Sequence, residues 1–524
     1  MNNEVIISVF VSLFVLFIAL GFWSSRFRRG DMSDLGEWAL AGRKLGGYLA
    51  WFLVGGDLYT AYTFIAIPEL VYESGAIYFY AVPYVGMTFA VALITMPRLW
   101  KISKNKDYVT AVDMVGDKFN SKWLMIFIAL TGIVAELPYI ALQIYGMQAV
   151  LTVMIGEYVG SASYVGLTEI SLVVAFVILA AFTFTSGLRG ATITAVMKDF
   201  IIFTTVIVVI VLVPYWMGGF GPALSNMAIQ GPKTAASFKA PFTGSGQLAN
   251  LFLSGFISLS IMSALALYLY PHAINGVLST SSTKKLRYST AFLPLYGVGL
   301  ALLALFGVLI YDSSTALALV TKYGPVTVVP SLIYAYFPDW FVGFAFLGIF
   351  IGGLVPASIM AISQANLLTR NVIKPFRPNM DPKTEARLSK YFSIMFKFLA
   401  LGFIFLISPL YSLQLQLVGG VIILQTLPAI FLAMYTKRLE KWSVGIGWLV
   451  GLAVGIFLLY YGNFVQLHKP ALQTTFYVFI QQAGSPFYFL YVGLTAAAVN
   501  VVIAVVGSLI VGTFLHKTPR EAPT

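Results

Sequence analysis

The sequence has no cysteine and only three histidines, His272, His468 and His516. Disulfides and thiolate metal sites are thereby excluded, and three scattered imidazoles are too few for a histidine-rich metal cage. Charge is also scarce. Only 10% of the 524 residues are Asp, Glu, Lys or Arg, whereas a soluble domain carries roughly 25%. No GxxxxGK[ST] string occurs, so a nucleotide-cradling loop is missing. No hydrophilic stretch is long enough for a kinase or nucleotide-binding module, which leaves a gradient as the expected energy source. No metal and no organic cofactor are expected.

Apolar residues fill that space: 59% of the chain is hydrophobic and the mean hydropathy is +0.87. A bilayer-crossing helix needs about 20 apolar residues, and runs of that length recur throughout. The chain therefore reads as an all-α membrane protein with about thirteen transmembrane helices, at 5–24, 47–72, 76–97, 123–150, 167–186, 194–216, 249–275, 288–312, 338–368, 391–409, 414–436, 443–463 and 487–515. The first run follows Glu4 without a preceding Lys or Arg, so it reads as a retained helix rather than a cleaved signal.

The net charge of +12 points to nucleic acid in a soluble chain and to anionic lipid in a membrane one. Loop placement decides for lipid. With the N-terminus outside, the cytoplasmic loops hold 26 of the 32 Lys and Arg: five in 25–46, six in 98–122, Arg189, three in 284–287, six in 370–390, three in 437–441 and two after 515. The outer loops hold Lys233, Lys239, Lys322 and Lys469, while Lys198 and Lys397 fall inside spans. This asymmetry follows the positive-inside rule and predicts a multi-pass protein of the cell membrane with a cytoplasmic C-terminus.

The second span contains Gly55, Gly56, Asp57, Tyr59, Thr60 and Thr63 within an otherwise apolar run. Adjacent glycines weaken a helix, and unwound backbone at membrane depth is tolerated where it lines a cavity, as in the midplane solute sites of transporters. A glycine-mediated close helix crossing is the competing reading.

Four strings carry a family resemblance. They are Leu35-Gly36-Glu37-Trp38-Ala39-Leu40-Ala41-Gly42-Arg43-Lys44-Leu45-Gly46 before the broken span, Ser186-Gly187-Leu188-Arg189-Gly190-Ala191, Tyr270-Pro271-His272 with Asn275, and Asn366-Leu367-Leu368-Thr369-Arg370-Asn371. Together, in this order, they resemble the sodium:solute symporter family over roughly residues 5–515. The resemblance implies a five-plus-five inverted-repeat core of helices 2–6 and 7–11. The loop charges agree, because five helices per half make span 2 run outward and span 7 inward. The expected division is 1–46 (first helix and cytoplasmic loop), 47–216 (first repeat), 249–436 (second repeat) and 443–524 (two further helices and a short tail).

Two departures from the family bear on the coupling ion. Sodium-coupled members hold the cation between carbonyls of the broken span and two adjacent hydroxyl residues on the ninth span. Here those positions are Val355 and Pro356, with Ser358 and Ser363 nearby as a shifted alternative. The family's carboxylate on the sixth span is also replaced, in Thr194-Ala195-Val196-Met197-Lys198-Asp199. Lys198 either occupies the lost sodium's space and changes charge with its proton, or snorkels and pairs with Asp199. The strings around Gly56-Asp57, Lys198-Asp199 and Leu354-Val355-Pro356-Ala357 resemble the monocarboxylate permease branch, whose members carry lactate, pyruvate, short-chain acids or alanine.

Ionisable residues inside spans are functional candidates by default. Glu136 lies about 20 Å along the fourth span, as a coupling carboxylate or a structural acid beside Pro138. Asp57 is expected beside the solute or capping a half-helix. Tyr139 and Gln143 share a face and either touch solute or bond within the core. Glu69, Glu73 and Asp312 are expected to be solvated at outer helix ends, and His272 to be structural. The expected function is uptake of a small monocarboxylate, proton-coupled or sodium-independent, with sodium symport of another small solute such as an amino acid as the alternative. Gly55, Gly56, Asp57, Tyr59, Thr60, Thr63, Tyr139 and Gln143 are the solute-site candidates, and Lys198, Asp199, Thr194 and Glu136 the coupling candidates.

Overall fold

The computed structural model describes residues 2–27, 30–160, 163–230, 247–403, 405–406, 412–468, 473–479 and 486–514. Arg28, Arg29, Lys233, Lys239, Lys469 and the tail after 515, all used above for orientation, lie outside them, as does the end of the expected tenth span.

Among the described residues, nine helices are long and apolar enough to cross a bilayer: Asn3–Arg26, Ile77–Asn105, Lys122–Val159, Tyr164–Trp216, Thr283–Asp312, Asp339–Phe376, Gln414–Tyr435, Lys441–Gln466 and Val492–Gly512. A tenth is the pair Leu253–Leu267 and Pro271–Leu278, bent by 49°. The expected thirteen differs from this number for three physical reasons. Tyr164–Trp216 has 53 residues, roughly 80 Å at 1.5 Å per residue, far beyond a hydrocarbon core of about 30 Å. It contains a break at Gly187 (φ 56°, ψ −143°), a conformation essentially reserved for glycine. The second expected span is split at Gly56 into Gly47–Gly56 and later turns. Pro382–Phe403, in the place of the tenth, begins with several charged residues.

The break at Gly187 is filled by the loop in front of the broken helix. A Cβ at Gly187 would lie 2.3 Å from the Trp38 carbonyl, so glycine is needed there for space as well as for φ. Trp38 Nε1 donates to Thr183 O at 3.2 Å, and Arg189, buried, is ion-paired with Glu37. Glu37 also accepts from Lys44 Nζ at 2.6 Å. Partial burial raises the Glu37 carboxyl, but the bonds from Lys44 and Arg189 outweigh it and hold the group below the usual carboxylate range.

The core helix is Asp339–Asn366, buried through nearly its whole length. It packs against Asn3–Trp23, Lys122–Val159 and Tyr164–Trp216. Small residues permit the approach: a Cβ at Gly353 would meet Gln143 O at 2.6 Å and one at Gly343 would meet Ile6 O at 2.5 Å. One element departs from the all-helical expectation. Strands β1 (Thr475–Phe479) and β2 (Pro486–Tyr491) pair antiparallel, so the last helix starts at Val492 and not at 487. Among the described residues this is the one sheet, its two strands bonded to each other, and β2 leans on Gln247–Leu267.

Candidate functional site

The α-helix that starts at Gly47 ends at Gly56. Gly55 leaves room for the Tyr296 ring, whose Cε2 would stand 2.1 Å from a Cβ at that position, so the glycines serve a close approach as well as a break. After residues 57–61 the chain resumes as a π-turn, Tyr62–Ala66, and then the helix Ile67–Ser74. The freed backbone finds local partners. The Ala61 N–H donates to Gln143 Oε1 at 3.0 Å, the Tyr62 N–H to Thr60 Oγ1 at 3.2 Å, and the Thr63 hydroxyl to Leu58 O.

Two carbonyls of the break face a cation. The Lys198 ammonium donates to Gly56 O and to Tyr59 O, the latter at 3.1 Å, and lies 3.2 Å from Asp199 Oδ1. Lys198 and Asp199 are both 0% exposed. The lysine therefore does not snorkel; it pairs with Asp199 and takes up the carbonyls in the same geometry. Asp199 Oδ2 accepts from the Tyr296 hydroxyl at 2.6 Å. Tyr296 meets Tyr59 edge to face and Trp51 at a tilt, with ring centroids at 4.7 and 5.0 Å.

A second cluster joins the break at Pro271–His272. Glu136 Oε1 lies 2.7 Å from His272 Nδ1 and accepts the His272 backbone N–H at 2.8 Å. The Ser363 hydroxyl is 2.9 and 2.8 Å from the two Glu136 oxygens. Tyr139 and Tyr270 flank the imidazole, with ring centroids at 5.4 and 5.5 Å.

The structure thus brings Gly56, Tyr59, Lys198 and Asp199 together, with Gly55 beside them against Tyr296. Gln143 spends its amide on Ala61 N–H and on Tyr139 O. Thr194 donates its hydroxyl to Gly190 O of its own helix at 2.8 Å. Asp57 is buried, and neither of its carboxylate oxygens accepts a hydrogen bond from a described residue, so it does not cap a half-helix. Of the two hydroxyls of the shifted alternative, Ser358 is hydrogen-bonded with Thr183 at 2.9 Å and Ser363 with Glu136. Glu69, expected in solvent, is 1% exposed, because Ile67–Ser74 turns that face into the core. The sequence reading missed Tyr296 and the roles of His272 and Ser363 as Glu136's partners. The only available signal was the string Tyr270-Pro271-His272, where a proline restarts a helix.

The model of the sodium:solute symporter family matches residues 38–455. A protein of Rhizobium johnstonii named monocarboxylate transport permease is 38% identical over 507 residues, 96% of each chain. An uncharacterized symporter of Bacillus subtilis is 31% identical over 498 residues, 93% of this chain and 90% of its own. Among solved structures, a substrate-bound, outward-open Na+-coupled sialic acid symporter superposes with a TM-score of 0.71 at 14% identity, covering 97% of this chain and 98% of that one.

Proposed function

This chain belongs to the sodium:solute symporter family, and from that premise we propose that it imports a small monocarboxylate such as lactate or pyruvate, driven by protons and without sodium. It is a multi-pass membrane protein and a symporter of a small solute. The observation that carries the coupling proposal is the Lys198 ammonium on the Gly56 and Tyr59 carbonyls. In sodium-coupled members of this family, carbonyls of the same broken span hold the ion. A fixed ammonium there supplies, bonded to the chain, the positive charge that a bound ion would bring. Asp199 pairs with the ammonium, and the Tyr296 hydroxyl holds Asp199.

The substrate proposal is supported by the 38% identical relative's name. The loop charges support an N-terminus outside and a C-terminus in the cytoplasm.

Purified protein in proteoliposomes tests both parts. An imposed inward proton gradient, with sodium absent, is expected to accumulate labelled lactate, and competition by pyruvate, acetate, alanine and proline ranks the solutes. Strict dependence on sodium overturns the coupling proposal and favours sodium symport of another small solute. Lys198→Gln is expected to lose gradient-driven accumulation while keeping solute exchange; accumulation at the parent level rejects the lysine's role.

A further inference from the structure

Five titratable side chains meet at the two helix breaks, each at most 3% exposed: Asp57, Glu136, Lys198, Asp199 and His272. Lys198 is paired with Asp199, and His272 with Glu136. Asp57 is left over. Neither of its oxygens has a hydrogen-bond partner among the described residues, and His272 Nε2, buried on the ring edge away from Glu136, has none either. Asp57 directly follows Gly47–Gly56 and His272 is the second residue of Pro271–Leu278, two helices that pack against each other. A carboxylate and a ring nitrogen are thus both buried near these helix ends without a hydrogen-bond partner among the described residues.

The charges do not balance. Three carboxylates against one ammonium and one protonated imidazole leave one negative charge, and two when the imidazole is neutral. A solute carboxylate adds another in a medium where an uncompensated charge is costly. The position that answers this deficit is His272 Nε2. Its ring is held by Glu136 through Nδ1 and through the backbone N–H of the same residue. The Ser363 hydroxyl reaches both Glu136 oxygens and also Met360 O at 2.7 Å. It therefore donates to Glu136 when that group is ionised, or accepts from it and donates to Met360 O when it is protonated. The mount remains hydrogen-bonded in either state. Around the ring, the remaining titratable neighbours are Tyr139 and Tyr270, whose hydroxyl donates to Gln416 O at 3.2 Å, while Asp57 is faced in addition by Lys198 and Asp199.

We propose that His272 contacts the solute and carries the proton that travels with it: Nε2 takes up the proton and donates it as a hydrogen bond to the solute carboxylate. Glu136 and Ser363 are positioning residues for the ring. One proton enters with one anion and leaves with it, so no net charge crosses. This inference rests on the monocarboxylate reading, and its test separates the two.

The full-length His468→Gln/His516→Gln protein keeps His272 as its sole imidazole. Nitrogen NMR of the labelled ring in lipid nanodiscs is expected to show Nδ1 protonated throughout and Nε2 gaining a proton as the pH falls from about 8 to about 5. Asp57→Asn is expected to move that transition to lower pH by about one unit or more, and Glu136→Gln to move it the same way. A ring that keeps one protonation state over this range overturns the proposal. In proteoliposomes, His272→Gln is expected to keep lactate counterflow, with a KM about tenfold higher at acid pH and a flattened dependence of KM on pH; a parental KM and profile overturn it. If the NMR transition appears but no monocarboxylate is moved, the substrate reading fails and the proton-bearing imidazole stands.

Discussion

Lys198, Glu136 and Asp57 are individually conspicuous in the sequence because each is an ionisable group within an apolar run. Which of them meet is another matter. Glu136 and His272 are 136 positions apart, and no local periodicity encodes a pair formed by two helices that cross only after folding. Glu69 illustrates the converse error: two residues beyond a helix start it resembles a solvated first-turn acid, yet the surrounding helices enclose it. Gly55 offers a direct check of the close packing at the break. In Gly55→Ala the new methyl would meet the Tyr296 ring at 2.1 Å, and overpacking of this kind costs about 1–3 kcal/mol. A lower melting temperature in detergent is expected, together with reduced solute exchange; an unchanged melting temperature would place the ring elsewhere.

Among elements, the break after Gly56 was legible, since two glycines followed by an acid and hydroxyls make a poor helix. The break at Gly187 was legible too, as the expected end of the fifth span at 186. Its string reads as a helix end followed by another helix, and only the Trp38 carbonyl packed against it explains the need for glycine. The loop clamp Lys44–Glu37–Arg189 gives this element a pH signature. Glu37 titrates below its ordinary value in the fold. Its stabilising contribution is therefore complete above the unfolded carboxylate value and is lost as the pH falls through the lower, folded one. Thermal melts of the parent protein are expected to lose stability on that acid limb more steeply than melts of Glu37→Gln. Parallel curves for the two proteins would remove Glu37 from the clamp. The hairpin β1–β2 could not be read at all, because aromatic and β-branched residues beside a long apolar run look like the run's beginning.

For the whole molecule, the apolar runs and the loop charges specified a helical membrane protein and an orientation, while the number of crossings depends on how a 53-residue helix bent at one glycine is divided. Orientation is open to a direct experiment because the chain has no cysteine, so a single introduced thiol is unique without further engineering. Lys322→Cys in intact cells is expected to react with a membrane-impermeant maleimide, whereas Lys383→Cys is expected to react only after permeabilisation. The reverse pattern would invert the topology.

A charge bonded to the chain has no concentration. If the ammonium on the Gly56 and Tyr59 carbonyls does the work of an ion, it cannot be diluted, depleted or outcompeted. Binding order then collapses, since one of the two partners is always present, and the rate curve against external cation becomes flat. Only acidity is left as the dial, and a cell would set the direction of flow by the proton gradient it keeps, whatever the salt around it.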